Sequence, residues 1–437
     1  MKPSPPKITR RQALGGVAAA LAMPAIVPDH VMAAPGRPGA NERLVTAVIG
    51  PGGMGHNHVA PDCAALCDVD DRVLARAAKQ ISKGKPFLTK DYRRILDRED
   101  IDAVFVAAPD HWHALMTVHA CEAGKHVYCE KPACRAAAEG KAMIAAVRRY
   151  RRVVQVGAQG RSNAVAHQAA VYVRNGQLGR VNRVDIWHEN NWETKEMPPN
   201  VPPPAGFDWN TWLGPAKKRP FHALIHPFNF RWYMDFGGGF IRDRGAHALS
   251  VAFWLLENDG YAGPVHVEAT GRPQKQGIFD VPIGLDVTWK LPARDLTITW
   301  TQPGTPKLGS SWGEVYRGSD DSLIVAGGDG GCNTEEKAKS YRPGPGAKEV
   351  YLHPFPRNDA TARHRQNFLD SIRSGKRPVM DIEPAVKVIM LGNLANLSYT
   401  LKRPLSFHFG RWKFIGEGAK ALNRDHLSEP YRAPWKL

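Results

Sequence analysis

Between residues 45 and 156, short apolar runs alternate with stretches of helical length. Val45–Ile49, Ala64–Cys67, Ala103–Ala107, His126–Cys129 and Val153–Val156 are too short for helices. They also lack the polar alternation of a half-solvated strand, so they predict strands buried on both faces. Asp70–Ile81, Tyr92–Leu96, Ala114–Ala123 and Ala136–Tyr150 predict the helices between them. Strand and helix in alternation predict a parallel sheet covered on both sides.

After about residue 160 the pattern changes. A helix over Val165–Asn175 and a strand over Arg183–Trp187 precede a long loop, Asn190–Gly239, rich in proline and aromatics. A helix over Ala246–Leu256 follows. Then come strands over Val265–Thr270, Leu285–Lys290, Leu296–Thr301, Trp312–Tyr316 and Leu323–Val325. Tyr341–Val350 is polar and turn-rich, and Arg363–Ser374 and Ala385–Leu401 predict closing helices. Strands meeting strands with few helical crossovers predict a mostly antiparallel sheet. The fold class is therefore α/β: a Rossmann domain over residues 44–160 and a second α/β domain over 161–437.

The first residues belong to neither. Arg10 and Arg11 precede an apolar run, Gly15–Val27, with small residues at Ala33 and Ala34. A charged start, a short apolar core and a small-residue exit predict a secretory leader over 1–34, of the twin-arginine type, with a polar linker over 35–43. The apolar run contains Pro24 and is short for a bilayer span. The expected place of work is the periplasm or another exported location, with no stable membrane span after cleavage. That route carries folded proteins, which suits an enzyme that takes up a nucleotide before export.

At 437 residues the chain can bury two cores. Its net charge of +17 falls to +14 without the leader. The cations are scattered, with clusters only at Arg148–Arg152 and Lys217–Arg219, and no stacking or zinc module accompanies them, so no nucleic-acid partner is expected. Five of the six cysteines (Cys63, Cys67, Cys121, Cys129, Cys134, Cys332) lie in the first domain without any CxxC pair. Buried thiols are expected rather than a disulfide framework or a metal site.

The first strand runs into Gly50-Pro51-Gly52-Gly53-Met54-Gly55, a G-x-G-x-x-G turn. The first glycine permits the tight turn, the second lets backbone approach a pyrophosphate, and the third allows close helix–strand packing. Asp68 ends the second strand. A carboxylate there can accept both ribose hydroxyls and repel a 2′-phosphate, which favours NAD over NADP; its other role would be to cap the next helix. Gly50 to Asp68 spans only 18 positions, and Pro61 interrupts the segment, so the first helix is expected to be truncated to one or two turns.

Tyr128-Cys129-Glu130-Lys131-Pro132, preceded by Ala108-Pro109-Asp110-His111-Trp112-His113, resembles the Gfo/Idh/MocA oxidoreductase family. Further matches are Val156-Gly157-Ala158-Gln159, Asp208–Pro215, Gly237–Gly239 before Asp243-Arg244-Gly245-Ala246-His247, and the tail Pro430–Trp435. The resemblance runs from about residue 44 to the C-terminus. It implies a large open sheet in the second domain that commonly forms a subunit interface, hence a homodimer or homotetramer. It also implies a sugar or polyol substrate.

Oxidising an alcohol needs a carbinol C–H over the nicotinamide, a base for the hydroxyl proton and a donor to steady the oxygen. Lys131, just past a strand's C-terminal end, is the candidate for holding that oxygen. Asp243 and His247, four apart at a helix start, share one face. The resemblance places both beside Lys131, with His247 as acid/base and Asp243 as its orienter or a hydroxyl acceptor. Asp243 as a helix cap and His247 as a packed histidine are the alternatives. In the family Glu130 and Pro132 shape the turn and the cofactor contact, and Pro109 and His113 line the nicotinamide side. Arg231 and Trp232 are expected to approach the cofactor and substrate, with Tyr233 as a reserve proton donor. His188, His222 and His226 receive no role. Three functions remain open: a carbohydrate dehydrogenase, a glycoside-cleaving enzyme working by transient oxidation, and a non-catalytic NAD-binding sensor or adaptor.

Overall fold

The computed structural model describes residues 43–327 and 332–437. The expected leader over 1–34 and most of the 35–43 linker lie outside the described residues. Two sheets dominate the rest. The first has six parallel strands: β1 (Thr46–Ile49), β2 (Ala65–Cys67), β3 (Phe87–Thr89), β4 (Ala103–Val106), β5 (His126–Cys129) and β6 (Val154–Val156). Their order is β3-β2-β1-β4-β5-β6, with the reversal beside β1 that opens a crevice at the strand ends. β1 and β4 are buried at every position, as their continuous apolar runs require.

The second sheet comprises β7 (Arg183–Trp187), β8 (Pro264–Arg272), β9 (Gly284–Leu291), β10 (Leu296–Thr301), β11 (Gly313–Arg317), β12 (Ser322–Ala326), β13 (Asn333–Thr334), β14 (Leu405–His408) and β15 (Lys413–Phe414). Its order is β13-β12-β11-β7-β10-β9-β8-β14-β15. All pairs are antiparallel except β7 with β10, where Thr297 stands opposite Arg183. Along β8 and β9, Val265, Val267, Ala269, Val287, Trp289 and Leu291 face the core, while His266, Glu268, Asp286 and Lys290 face solvent. The buried face is covered by helices Gly245–Leu255 and Ile382–Leu401.

Two differences from the sequence expectations, and one agreement, bear on the site. The helix expected from Ala114 begins at Asp110, so Asp110, His111 and His113 lie in its first turns. Nearly all of its residues are buried, which removes the one-sided pattern that marks a helix start. The first nucleotide-domain helix is the short one that the Gly50-to-Asp68 spacing predicts, a 3-10 turn over Met54–His58. Asp243 caps nothing: it ends a four-residue helix, Phe240–Asp243, that continues through Arg244 into Gly245–Leu255.

The last residues return to the nucleotide domain. Tyr431 donates to Glu139 Oε1 at 2.8 Å, Glu429 pairs with the buried Arg135 at 3.0 Å, and the Trp112 and Trp435 rings meet edge to face at 4.7 Å. Arg432 donates to the Gly214 carbonyl at 2.9 Å. Cys63, Cys67, Cys121, Cys129 and Cys134 are buried thiols. Burial pushes Cys63 up to about 11 and Cys121 and Cys129 to about 12. Arg148 pairs with Asp381 at 2.6 Å and Arg152 donates to the Gly124 carbonyl at 3.0 Å, so part of the basic cluster serves the fold.

Candidate active site

The glycine turn separates into two kinds of glycine. Gly50 has φ +81°, its N–H donates to the Cys67 carbonyl at 2.8 Å, and a Cβ there would stand 2.7 Å from the Ala107 backbone. A Cβ on Gly55 would stand 2.0 Å from the Gly50 carbonyl oxygen. Those two are glycine because the chain packs against itself. Gly52 and Gly53 are not: a Cβ on Gly53 meets nothing within 4 Å, and one on Gly52 meets only the Val73 methyl at 3.7 Å. The open backbone fits the close approach of a dinucleotide pyrophosphate. With only a 3-10 turn after it, Met54–His58, the anion site depends on loop amides more than on a helix dipole.

Asp68 lies at the end of β2. Its Oδ1 accepts the Asp70 N–H at 3.0 Å, and it is Asp70 that caps the helix Asp71–Ala78, accepting the Arg72 N–H at 2.9 Å. The capping alternative therefore belongs to the neighbour, and Asp68 keeps acceptor capacity for ribose hydroxyls. Burial raises the Asp68 carboxyl from 3.8 to about 7, against the Asp70 amide that lowers it. Between about pH 4 and 7 the native carboxyl holds a proton that the unfolded chain has lost, so this group's contribution to stability declines as pH rises through that window. Hydroxyls donating to the ionised form act in the opposite sense. We expect NAD affinity to fall about tenfold between pH 8 and pH 6, and D68N to flatten that dependence, measured by calorimetric titration.

The E-K-P turn leaves β5. Glu130 is buried; its Oε1 meets His58 Nε2 at 2.9 Å and Gln159 Nε2 at 3.0 Å. A Cβ on Gly157 would press within 2.5 Å of its Oε2. Burial would raise this carboxyl, but the His58 hydrogen bond, with His58, Lys131 and His247 as charges, holds it below the usual range. His58 and Gln159 were not singled out by the sequence reading. His58 closes the 3-10 turn and so links the nucleotide loop to the E-K-P turn.

Lys131 and Asp243 come together across the two domains: Nζ donates to Oδ1 at 2.5 Å, with both side chains nearly buried. Arg231 Nε approaches the same oxygen at 3.4 Å. Burial opposes ionisation of Asp243, yet Lys131, Arg231 and Arg244 hold its carboxyl far below the ordinary value. The hydrogen bonds of Asp243 thus reach Lys131 and Arg231. His247 is buried one turn further on, 6.4 Å from the Trp312 ring between centroids.

Most of the other residues singled out in the sequence are buried. His113 is buried, with Nδ1 2.7 Å from the Pro132 carbonyl and Nε2 2.7 Å from the Ala108 carbonyl, so its polar atoms tie two loops together. Pro109 precedes the helix Asp110–Glu122 at its N-cap position. Trp232, expected beside the cofactor, is fully buried with its ring at 4.9 Å from Phe240. Tyr233 is also buried, and burial raises its phenol. His188 stacks on Trp300 at 5.3 Å and His226 lies against Phe207 at 4.5 Å; burial lowers each imidazole to about 4. Burial raises the Asp110 carboxyl, with Arg242 as its foremost opposing charge; both are buried. The D-H-W-H run and the neighbour of Asp243 were the available signals for that pair. Among the described residues, no group of three or more His, Cys, Asp or Glu is arranged to hold a metal.

A parallel sheet of this order with an open glycine turn has the architecture of a dinucleotide-binding domain, and the lysine–carboxylate pair stands at its strand ends. Residues 44–158 match the family model for the oxidoreductase family with an NAD-binding Rossmann fold, and residues 173–285 match the model for that family's C-terminal alpha/beta domain. The chain belongs to the Gfo/Idh/MocA family, and its N-terminal domain is an NAD-binding Rossmann domain. It is 32% identical over 155 residues to levoglucosan dehydrogenase of Pseudarthrobacter phenanthrenivorans, covering 32% of this chain and 39% of that one. It is 28% identical over 172 residues to glycosyl hydrolase family 109 protein 1 of Shewanella sp. (strain ANA-3), covering 36% and 38%. The matched region thus spans less than half the length of these curated relatives. The WlbA dehydrogenase of Chromobacterium violaceum, solved with NADH and UDP-GlcNAcA, shares the fold with a TM-score of 0.62 at 18% identity, over 85% of this chain and 97% of that one.

Proposed function

We propose that this protein is an NAD-dependent dehydrogenase that oxidises a secondary hydroxyl of a sugar or polyol-like carbohydrate. The observation that carries the reading is the 2.5 Å contact of Lys131 with Asp243 at the strand ends, one short turn from the dinucleotide loop. The named activities of the levoglucosan dehydrogenase and WlbA relatives support the substrate class.

Bound NAD supplies the hydride acceptor. The chain supplies the rest. Lys131 Nζ, fixed by one bond to Asp243, has two further protons to direct at the reacting oxygen. Arg231 adds a second cation beside it, which stabilises negative charge gathering on that oxygen as its proton leaves. His247, one helical turn beyond Asp243, is assigned the proton. Glu130, clasped by His58 and Gln159, fixes the Lys131 turn from behind.

The similarity to a family 109 glycosyl hydrolase favours one second reading, a redox-assisted glycosidase. It differs in its products: aglycone appears without net NADH. The reading further includes export through the 1–34 leader and assembly as a homodimer or homotetramer over the solvent face of the nine-stranded sheet, which carries His266, Glu268, Asp286 and Lys290. No helix among the described residues is long and apolar enough to cross a membrane.

The test begins with native mass spectrometry of the purified protein for bound nucleotide, followed by a panel of sugars and inositols read at the NADH absorbance. A bound mass of NAD with NADH formed on at least one sugar is expected. Bound NAD with neither NADH formation nor aglycone release would replace the enzyme with a sensor or adaptor.

A further inference from the structure

We propose that Trp192 and Phe228 form an outer subsite for a second pyranose ring, so that the substrate is a disaccharide or longer glycan rather than a free monosaccharide. This rests on the carbohydrate reading above. The aromatic loop 190–239 divides sharply. Trp209, Trp212, Phe221, Phe230, Trp232 and Tyr233 are buried, whereas Trp192 and Phe228 are 53% and 45% exposed. Those two rings are neighbours, with centroids 5.4 Å apart and planes tilted by 40°. The two rings together form a small apolar patch at the surface.

Their place in the fold selects what binds. The Arg231 guanidinium lies over the Phe228 ring at 4.4 Å, and the Nε of the same guanidinium is 3.4 Å from Asp243. The aromatic pair therefore begins one guanidinium away from the carboxylate that orients Lys131. Trp192 is tied to the same centre through its neighbour in the chain. Its predecessor Asn191 accepts the Phe240 N–H at 2.8 Å, at the start of the helix that ends in Asp243, and donates to the Pro282 carbonyl at 2.7 Å. Behind Trp192 stands the buried Trp232, nearly parallel to it at 24° and 5.5 Å. Gln274 also donates to the Trp192 carbonyl at 3.0 Å.

Trp192 is thus held by an inner ring, by the anchored side chain of Asn191 before it and by Gln274 on its carbonyl, while half its surface stays in water. A pyranose has one apolar C–H face and a rim of hydroxyls. An indole face backed by a second indole offers a fixed π surface for the C–H face, and Arg231 offers donors to the rim. A ring bound here would sit next to the one presented to Lys131, as adjacent units of a glycoside do.

The experiment uses the NAD-loaded full chain and calorimetric titration. Glucose, galactose and N-acetylglucosamine are each compared with cellobiose, lactose and chitobiose, and oligomeric state is followed by size-exclusion chromatography. The expected result is a disaccharide that binds about tenfold or more tighter than its monosaccharide. W192A and F228A should each bring that ratio toward one, with W192F restoring most of it. Because Phe228 is surface-exposed, F228A keeps the test alive if W192A fails to fold. Equal affinities in the wild type, or a ratio untouched by both alanine variants, would overturn the subsite and leave the dehydrogenase reading standing. A change in oligomeric state with the ratio intact would overturn it in favour of an assembly surface. No binding of any of the six sugars would instead remove the carbohydrate reading on which the subsite rests.

Discussion

Replacing Lys131 by methionine should lower kcat/KM by at least about a thousandfold, the scale of losing a positioned proton-handling and oxygen-holding group. Methionine keeps most of the length and apolar stem while removing the ammionium-type donor at Nζ. It also strips Asp243 of its nearest partner, the 2.5 Å bond, while leaving Arg231 at 3.4 Å. An uncompensated buried charge costs about 3–5 kcal/mol, so with Arg231 and Arg244 remaining the stability loss should fall below that range. Circular dichroism melts would show a folded protein with a lowered midpoint, and the NADH absorbance would show the lost turnover. Turnover equal to the wild type would put the chemistry elsewhere.

The glycine turn predicts a contrast between two alanine variants. G55A places a methyl 2.0 Å from the Gly50 carbonyl oxygen and 3.1 Å from the Ala107 Cβ, with no flexible side chain to yield. It should cost about 2–4 kcal/mol of stability and abolish NAD binding with it. G53A places its methyl where nothing of the chain lies within 4 Å. Its melting midpoint should stay near the wild type, since substitutions without such clashes stay within about 0.5 kcal/mol. NAD affinity should nonetheless fall about tenfold or more, because the methyl occupies the space kept for the pyrophosphate. Thermal melts and NAD titrations on the two variants separate the effects. Equal loss of stability in both would mean that the turn is glycine-rich for packing alone.

The nucleotide domain was legible because its buried parallel strands are continuous apolar runs set against polar turns. β1 and β5 begin and end within a residue of their expected bounds. β3, β13, β14 and β15 escape the pattern because each has only two to four residues at or near a sheet edge, too few for a period to show. The helix Asp110–Glu122 was read four residues short because burial on nearly every side erased its amphipathic signature. In the site, Lys131 and Asp243 were named from motifs 112 positions apart, and their pairing follows. Spacing along a helix fixes a face, but the partner that reaches that face comes from another part of the chain. Asp243 found Lys131 and Arg231; His113 found two carbonyls. Trp232 and Trp192 look alike in a sequence, and only folding decides which of them is covered.

The five buried cysteines turn the nucleotide domain into its own reporter. A thiol held up at about 11 or 12 is almost wholly unionised at neutral pH, and a buried sulfur also excludes the reagent. Alkylation at Cys63, Cys67, Cys121, Cys129 and Cys134 therefore waits on local opening, and its rate with iodoacetamide reads out how often that sheet comes apart. Tight cofactor retention would register as protection of all five sulfurs together, with no label added to the chain.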